Sequence, residues 1–97
     1  MRALLEIELD TPTGNQAIND GSMAEGIKQS LAQLQPEAAY FLARNGHRTM
    51  IVVVDVQDEA SLPSLVEPFW LQANAKVDLH ICMNADELLE GLGRLSS

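Results

Sequence analysis

Positive charge is scarce in this chain: six Lys and Arg stand against 14 Asp and Glu, a formal net charge of −8. The mean field of such a chain repels phosphate, which argues against nucleic acid or an anionic membrane as partner. Cysteine is scarcer still, with Cys82 alone. That excludes an internal disulfide framework and any zinc site built from several thiolates. Long apolar runs are missing, and none approaches the ~20 residues of a membrane-spanning helix. No glycine-rich phosphate loop, nucleophile elbow or dinucleotide fingerprint occurs, so no motif asks for a cofactor. Repeats, linkers and low-complexity stretches are also absent. The opening residues read as a strand rather than a secretory leader, so the expected setting is the cytoplasm.

What is present is an ordinary globular composition. The 97 residues are 46% hydrophobic and 21% charged, which fits a single domain over 1–97. Ala3, Leu5, Ile7 and Leu9 alternate with Leu4, Glu6 and Glu8, the period of a half-buried strand. Asp10 to Gly14 then carry turn chemistry. A helical region is expected over Asn15 to Leu34, interrupted at Asn19-Asp20-Gly21. Ser22 and Glu25 have capping-box spacing for a restart, and Met23, Ile27, Leu31 and Leu34 share one face.

Two strands follow, Ala38 to Arg44 and His47 to Val56. Asn45-Gly46 between them is the strongest short hairpin signal, because both residues tolerate the positive φ of a type I′ turn. That turn sets Arg44 opposite His47, Leu42 opposite Thr49 and Tyr40 opposite Ile51. Ser61 can cap a second helix with Pro63 in its first turn and an apolar stripe of Leu62, Leu65, Val66, Phe69 and Ala73; Pro68 should kink it or shift its start. A last strand is expected over Lys76 to Met83. Asn84 and Glu87 then open a short helix carrying Leu88, Leu89 and Leu92. The order βαββαβ plus a terminal helix predicts an α+β, ferredoxin-like domain with a four-stranded antiparallel sheet whose first and third strands are central.

The third strand, Thr49 to Val56, is apolar on both faces, and helices of one chain cover only one of them. A second copy of the same face is the simplest cover, an isologous homodimer. The alternative is that loops and the terminal helix fold over it.

Several segments carry a resemblance to a known group: Gly14-Asn15, Pro36-Glu37-Ala38-Ala39-Tyr40-Phe41, Asn45-Gly46, Glu67-Pro68-Phe69-Trp70 and Met83-Asn84-Ala85-Asp86-Glu87-Leu88. Together they span nearly the whole chain. It resembles the dimeric α/β-barrel superfamily, and within it small uncharacterised bacterial members. The resemblance implies two ferredoxin-like sheets packed face to face, with a cavity between helices and sheet or inside the barrel. Heme-degrading and quinol-forming monooxygenases, chlorite dismutase-like and muconolactone isomerase-like enzymes belong to that group, as do members with no known reaction. Heme-degrading members are similar in carrying an Asn on the first strand, a Trp and a His. Here the first strand offers Glu6 and Glu8, and no catalytic residue is carried over.

The residues themselves offer these candidates. Glu6 and Glu8 share the non-core parity of the first strand, and His80 has that parity on the neighbouring last strand. Glu6 and His80 are thus the acid/base candidates, with a solvated rim that sets dimer register as the plain alternative. No ligand spacing supports a metal. Tyr40, Thr49 and Asp55 share a face and can give polar handles to an apolar cavity or pack at an interface. Trp70 falls off the stripe that holds Phe69; it can line a pocket or pack at a subunit contact. Arg44, His47 and Arg48 cluster at the hairpin, where they can meet an anionic group or simply protect a solvated tip. Cys82 shares parity with His80, but a lone Cys is most often a small buried hydrophobe. The expectation is a homodimer that binds a small apolar or anionic molecule beside its sheet, through Glu8, Tyr40, Thr49, Asp55 and Trp70. The alternatives are a small monooxygenase- or isomerase-like enzyme, or a purely structural module.

Overall fold

A computed structural model of the chain describes residues 1–95. Alternation in the sequence becomes one antiparallel sheet. Its strands are β1 (Arg2–Glu8), β2 (Ala38–Arg44), β3 (His47–Asp55) and β4 (Lys76–Ile81), in the order β2-β3-β1-β4. The first and third strands are therefore central, and the arrangement is compatible with a ferredoxin-like α+β fold. Asn45 at φ 54° and Gly46 at φ 77° make the tight β2–β3 turn. The register is the one this turn dictates: Arg44 faces His47, Leu42 faces Thr49 and Tyr40 faces Ile51.

The helices are α1 (Thr11–Asp20), α2 (Met23–Leu34), α3 (Leu62–Ala73) and α4 (Ala85–Arg94). Their number exceeds a plain βαββαβ chain because the first crossover is two helices, broken at Gly21 in the left-handed region at φ 81°, and because α4 follows the last strand. Four local expectations need correction. Residues 11–14 are not a turn: Asp10 accepts from the Thr13 backbone N–H at 3.1 Å and caps α1, with Pro12 in the first turn. Ser22 makes no side-chain cap, because its backbone is already helical at φ −86° and ψ −10°, and its N–H donates to the Asp20 carboxylate at 2.9 Å. Ser61 likewise caps nothing. Instead Asp58 accepts from its N–H and closes a short 3₁₀ turn, Glu59–Ser61, ahead of α3. Pro68 sits inside α3, where it has no N–H to offer the Ser64 carbonyl. The last strand ends at Ile81 rather than Met83. At α4 the Asn84–Glu87 capping box is complete in both directions, each bond 2.8 Å.

The core lies on one face of the sheet. Ala3, Leu5, Ile7, Val52 and Val56 are wholly buried, and Met50, Val54, Val66 and Ala75 nearly so. Leu31 and Leu34 of α2 and Leu62, Leu65 and Phe69 of α3 pack against this cluster. Each fully buried Leu or Val contributes about 1.5–3 kcal/mol relative to exposure. Neither α2 nor α4 contributes a fully buried residue, and the molecule extends 58 × 28 × 18 Å. Its radius of gyration, 15.6 Å, exceeds the about 12.5 Å of a compact chain of this length. Much of the apolar surface of α4 is thus unspent: Leu88, Leu89 and Leu92 are all exposed, as is Leu95 just past its end.

Candidate functional site

The second face of the sheet carries the even-numbered residues of β1. Leu4 lies between Val53 and His80, with Ala38 beyond Val53. Glu6 lies between Ile51 and Asp78, with Tyr40 beyond Ile51. Glu8 lies between Thr49 and Lys76, with Leu42 beyond Thr49. Leu4, Ile51 and Val53 are half-buried, although the helices pack on the other side. The face is therefore apolar at its centre and charged along β1.

Its charges are organised around the two β1 glutamates. Arg44 Nη1 donates to Glu6 Oε1 from the far edge strand. His80 Nε2 stands 3.8 Å from Glu6 Oε2 on the opposite side. His47 Nε2 stands 3.8 Å from Glu8 Oε1, while its Nδ1 is 3.1 Å from the Thr11 hydroxyl. Both histidines of the chain thus face carboxylates of one strand. The Glu6 side chain is only 21% exposed and that of His80 is 60% exposed. At 3.8 Å the pair is beyond a direct proton-transfer hydrogen bond, so acid/base chemistry there needs a bridging water or a small closure.

The other sequence candidates are scattered. Tyr40 is 69% exposed on the edge strand. Thr49 is buried, and its hydroxyl donates locally to the His47 carbonyl at 3.1 Å. The Asp55 carboxylate is held by the N-terminal ammonium at 2.9 Å. Trp70 is 48% exposed on α3. Cys82 is half-buried just past β4, its N–H donating to the Arg2 carbonyl at 3.0 Å. Glu6 and His80 are brought together. Among the described residues no group of three His, Cys, Asp or Glu side chains is placed to hold a metal ion.

A second concavity lies elsewhere. A solvent-open cleft of about 1780 Å³ lies on the helix side of the sheet, walled by Leu34, Phe41, Met50, Leu65 and Phe69 with Asn15 and Arg48. Thr49 and Asp55 line it, whereas Glu6, Glu8, Tyr40, Trp70 and His80 do not. Arg48 is the residue that sequence reasoning misplaced by grouping it with the hairpin tip. The available signal was its parity: it shares the β3 face of Met50, Val52 and Val54.

No family model, no curated protein and no solved structure matches the chain.

Proposed function

We propose that this chain works as a cytoplasmic homodimer of the dimeric α/β-barrel type, two ferredoxin-like domains joined sheet face to sheet face, and that it binds a small apolar or anionic molecule beside the sheet. The observation that carries the reading is the uncovered face itself. Leu4, Ile51 and Val53 form an apolar centre at the middle of the sheet, and Glu6 is gripped at its side by Arg44 with His80 close by. A small protein rarely leaves such a face to water, and a self-complementary patch closes on a second copy by a two-fold axis. Two such faces enclose an apolar chamber with one charged corner, the usual make-up of a small-molecule site. The approach of His80 to Glu6 favours one further reading, an enzyme of monooxygenase or isomerase kind in which this pair moves a proton. A third reading spends the whole face on self-association.

Native mass spectrometry under conditions that keep small molecules bound tests the proposal. The expected result is a dimer carrying extra mass, with that mass lost or reduced in Glu6→Gln and His80→Ala variants that melt like the parent. A monomer overturns the reading. Variants that retain the ligand as the parent does remove the polar corner from the site.

A further inference from the structure

The helix-side cleft holds a guanidinium whose charge no carboxylate among the described residues answers. Of the four arginines, Arg2 pairs with Glu37 and Glu87, Arg44 with Glu6, and Arg94 with Glu90. Arg48 has only a neutral partner, its Nη2 donating to Asn15 Oδ1 at 3.1 Å. In a chain with 14 acidic side chains, that pairing is not for want of carboxylates.

The surrounding structure seats this side chain. Arg48 leaves β3 on the helix side and lies against the buried Gly14 of α1, where a Cβ would come within 2.8 Å of its Nη1. Glycine lets the guanidinium lie this close to the helix; a Cβ would push its flexible end aside. Arg48 is also the sole Lys or Arg on the cleft wall. Three acids share the wall, Glu25, Asp55 and Asp58. Asp55 is spent on the N-terminal ammonium and Asp58 on Ser61, which leaves Glu25 at the start of α2.

We propose that this cleft binds a monocarboxylate with an extended apolar body, its carboxylate meeting Arg48 and its body lying along Phe41, Met50 and Leu65. A guanidinium presents a planar fork that matches a carboxylate in two parallel hydrogen bonds. One cation amid wall acids and an overall charge of −8 suits one negative charge and disfavours a dianion. The cleft, at about 1780 Å³, exceeds the about 300–1,000 Å³ of an ordinary small-molecule site, which suits a long apolar body over a compact polar one. This site lies on the opposite side of the sheet from the proposed dimer face and does not depend on dimerisation.

The test is calorimetric titration of the intact protein with decanoate and with decanol, its neutral counterpart, alongside NMR of ¹³C-labelled methionine methyls. Met23 and Met50 line the cleft, while Met1 and Met83 do not. The expected result is saturable binding that shifts Met50 and spares Met1 and Met83. Decanoate should bind more tightly than decanol, and Arg48→Gln should cost decanoate about tenfold or more with decanol unchanged. Arg48→Lys should fall between, since it keeps the charge and loses the fork. Should Arg48→Gln not fold, Gly14→Ala displaces the guanidinium without removing it and should weaken decanoate selectively. Equal affinity for the two probes, an unaltered decanoate affinity in the variants, shifts at Met83 in place of Met50, or no binding of either probe would each overturn the proposal.

Discussion

Gly14 and Gly26 occupy the same position, the fourth residue, in α1 and α2, yet their surroundings differ in one respect that alanine substitution reads out. Alanine is favoured over glycine inside a helix by about 0.8–1 kcal/mol. A Cβ at Gly26 meets nothing within 4 Å, so Gly26→Ala should return that full gain. For a domain of this size, about 1 kcal/mol raises the melting temperature by about 4–8 °C. A Cβ at Gly14 comes within 2.8 Å of Arg48 Nη1. The guanidinium is the free end of a flexible side chain and can move aside, but it then gives up its bond to Asn15, at a cost of about 0.5–1.5 kcal/mol. The two effects nearly cancel, so Gly14→Ala should leave stability within about 0.5 kcal/mol of the parent, the residue of the propensity gain after that cost. In an Arg48→Ala background the obstruction is gone, and the same substitution should recover the gain seen at Gly26. Urea denaturation at one fixed protein concentration measures all five proteins, and the cycle isolates the Gly14–Arg48 coupling. If Gly14→Ala stabilises the parent as much as Gly26→Ala does, Arg48 does not rest on α1, and the seat argued for the cleft is lost.

Leu5→Ala removes a wholly buried side chain from the centre of the sheet and should cost about 2–5 kcal/mol in urea midpoint measurements; a loss under about 1 kcal/mol would place the core elsewhere. Asn84→Ala breaks the capping box of α4, a change of about 0.5–2 kcal/mol. Because α4 buries no residue fully, the loss should show as faster amide exchange within α4 and little change in global stability. Hydrogen bonds from the Ser22 side chain and backbone hold the Asp20 carboxyl below its ordinary value of 3.8. The folded-state value is depressed, so this contribution to stability is present above pH 3.8 and is lost as pH falls through the lower folded value. NMR titration should find the Asp20 midpoint below 3.8 and moving up in Ser22→Ala.

Signals that were purely local proved legible in the sequence. Asn45-Gly46 specified its turn, and through it the whole β2–β3 register, since a two-residue loop leaves no slack. Asn84 and Glu87 formed their box even though Glu87 Oε1 also accepts from Arg2 Nη1, since a carboxylate oxygen can take both donors. Ser22 and Glu25 had the same spacing and formed none, because the Ser22 backbone is already helical and its N–H donates to Asp20. Residues 11–14 read as turn formers, yet Pro and Thr also suit a first helical turn once Asp10 supplies the cap. In the site, strand parity placed Glu6 and His80 on one face, which is as far as periodicity reaches. That Arg44 crosses from the edge strand to Glu6 depends on side-chain length and sheet order together. Arg48 was hidden for a similar reason: its seat on Gly14 joins residues 34 positions apart in the chain (48 − 14) and exists only when α1 lies across β3.

The claim on which the functional proposal stands is that the apolar sheet face closes on a second copy. Val53 lies at the centre of that face, half-buried and outside the helix-covered core. An aspartate there would put an unpaired carboxylate into a dimer interface, and two of them across a two-fold axis, which no desolvated interface tolerates without a large penalty. Light scattering coupled to gel filtration, run on the parent and on Val53→Asp, measures this directly. The parent should elute at twice the 10.6 kDa chain mass, and the variant should elute at the single-chain mass with the parent's circular dichroism spectrum. A folded Val53→Asp protein with the parent's mass would contradict the account.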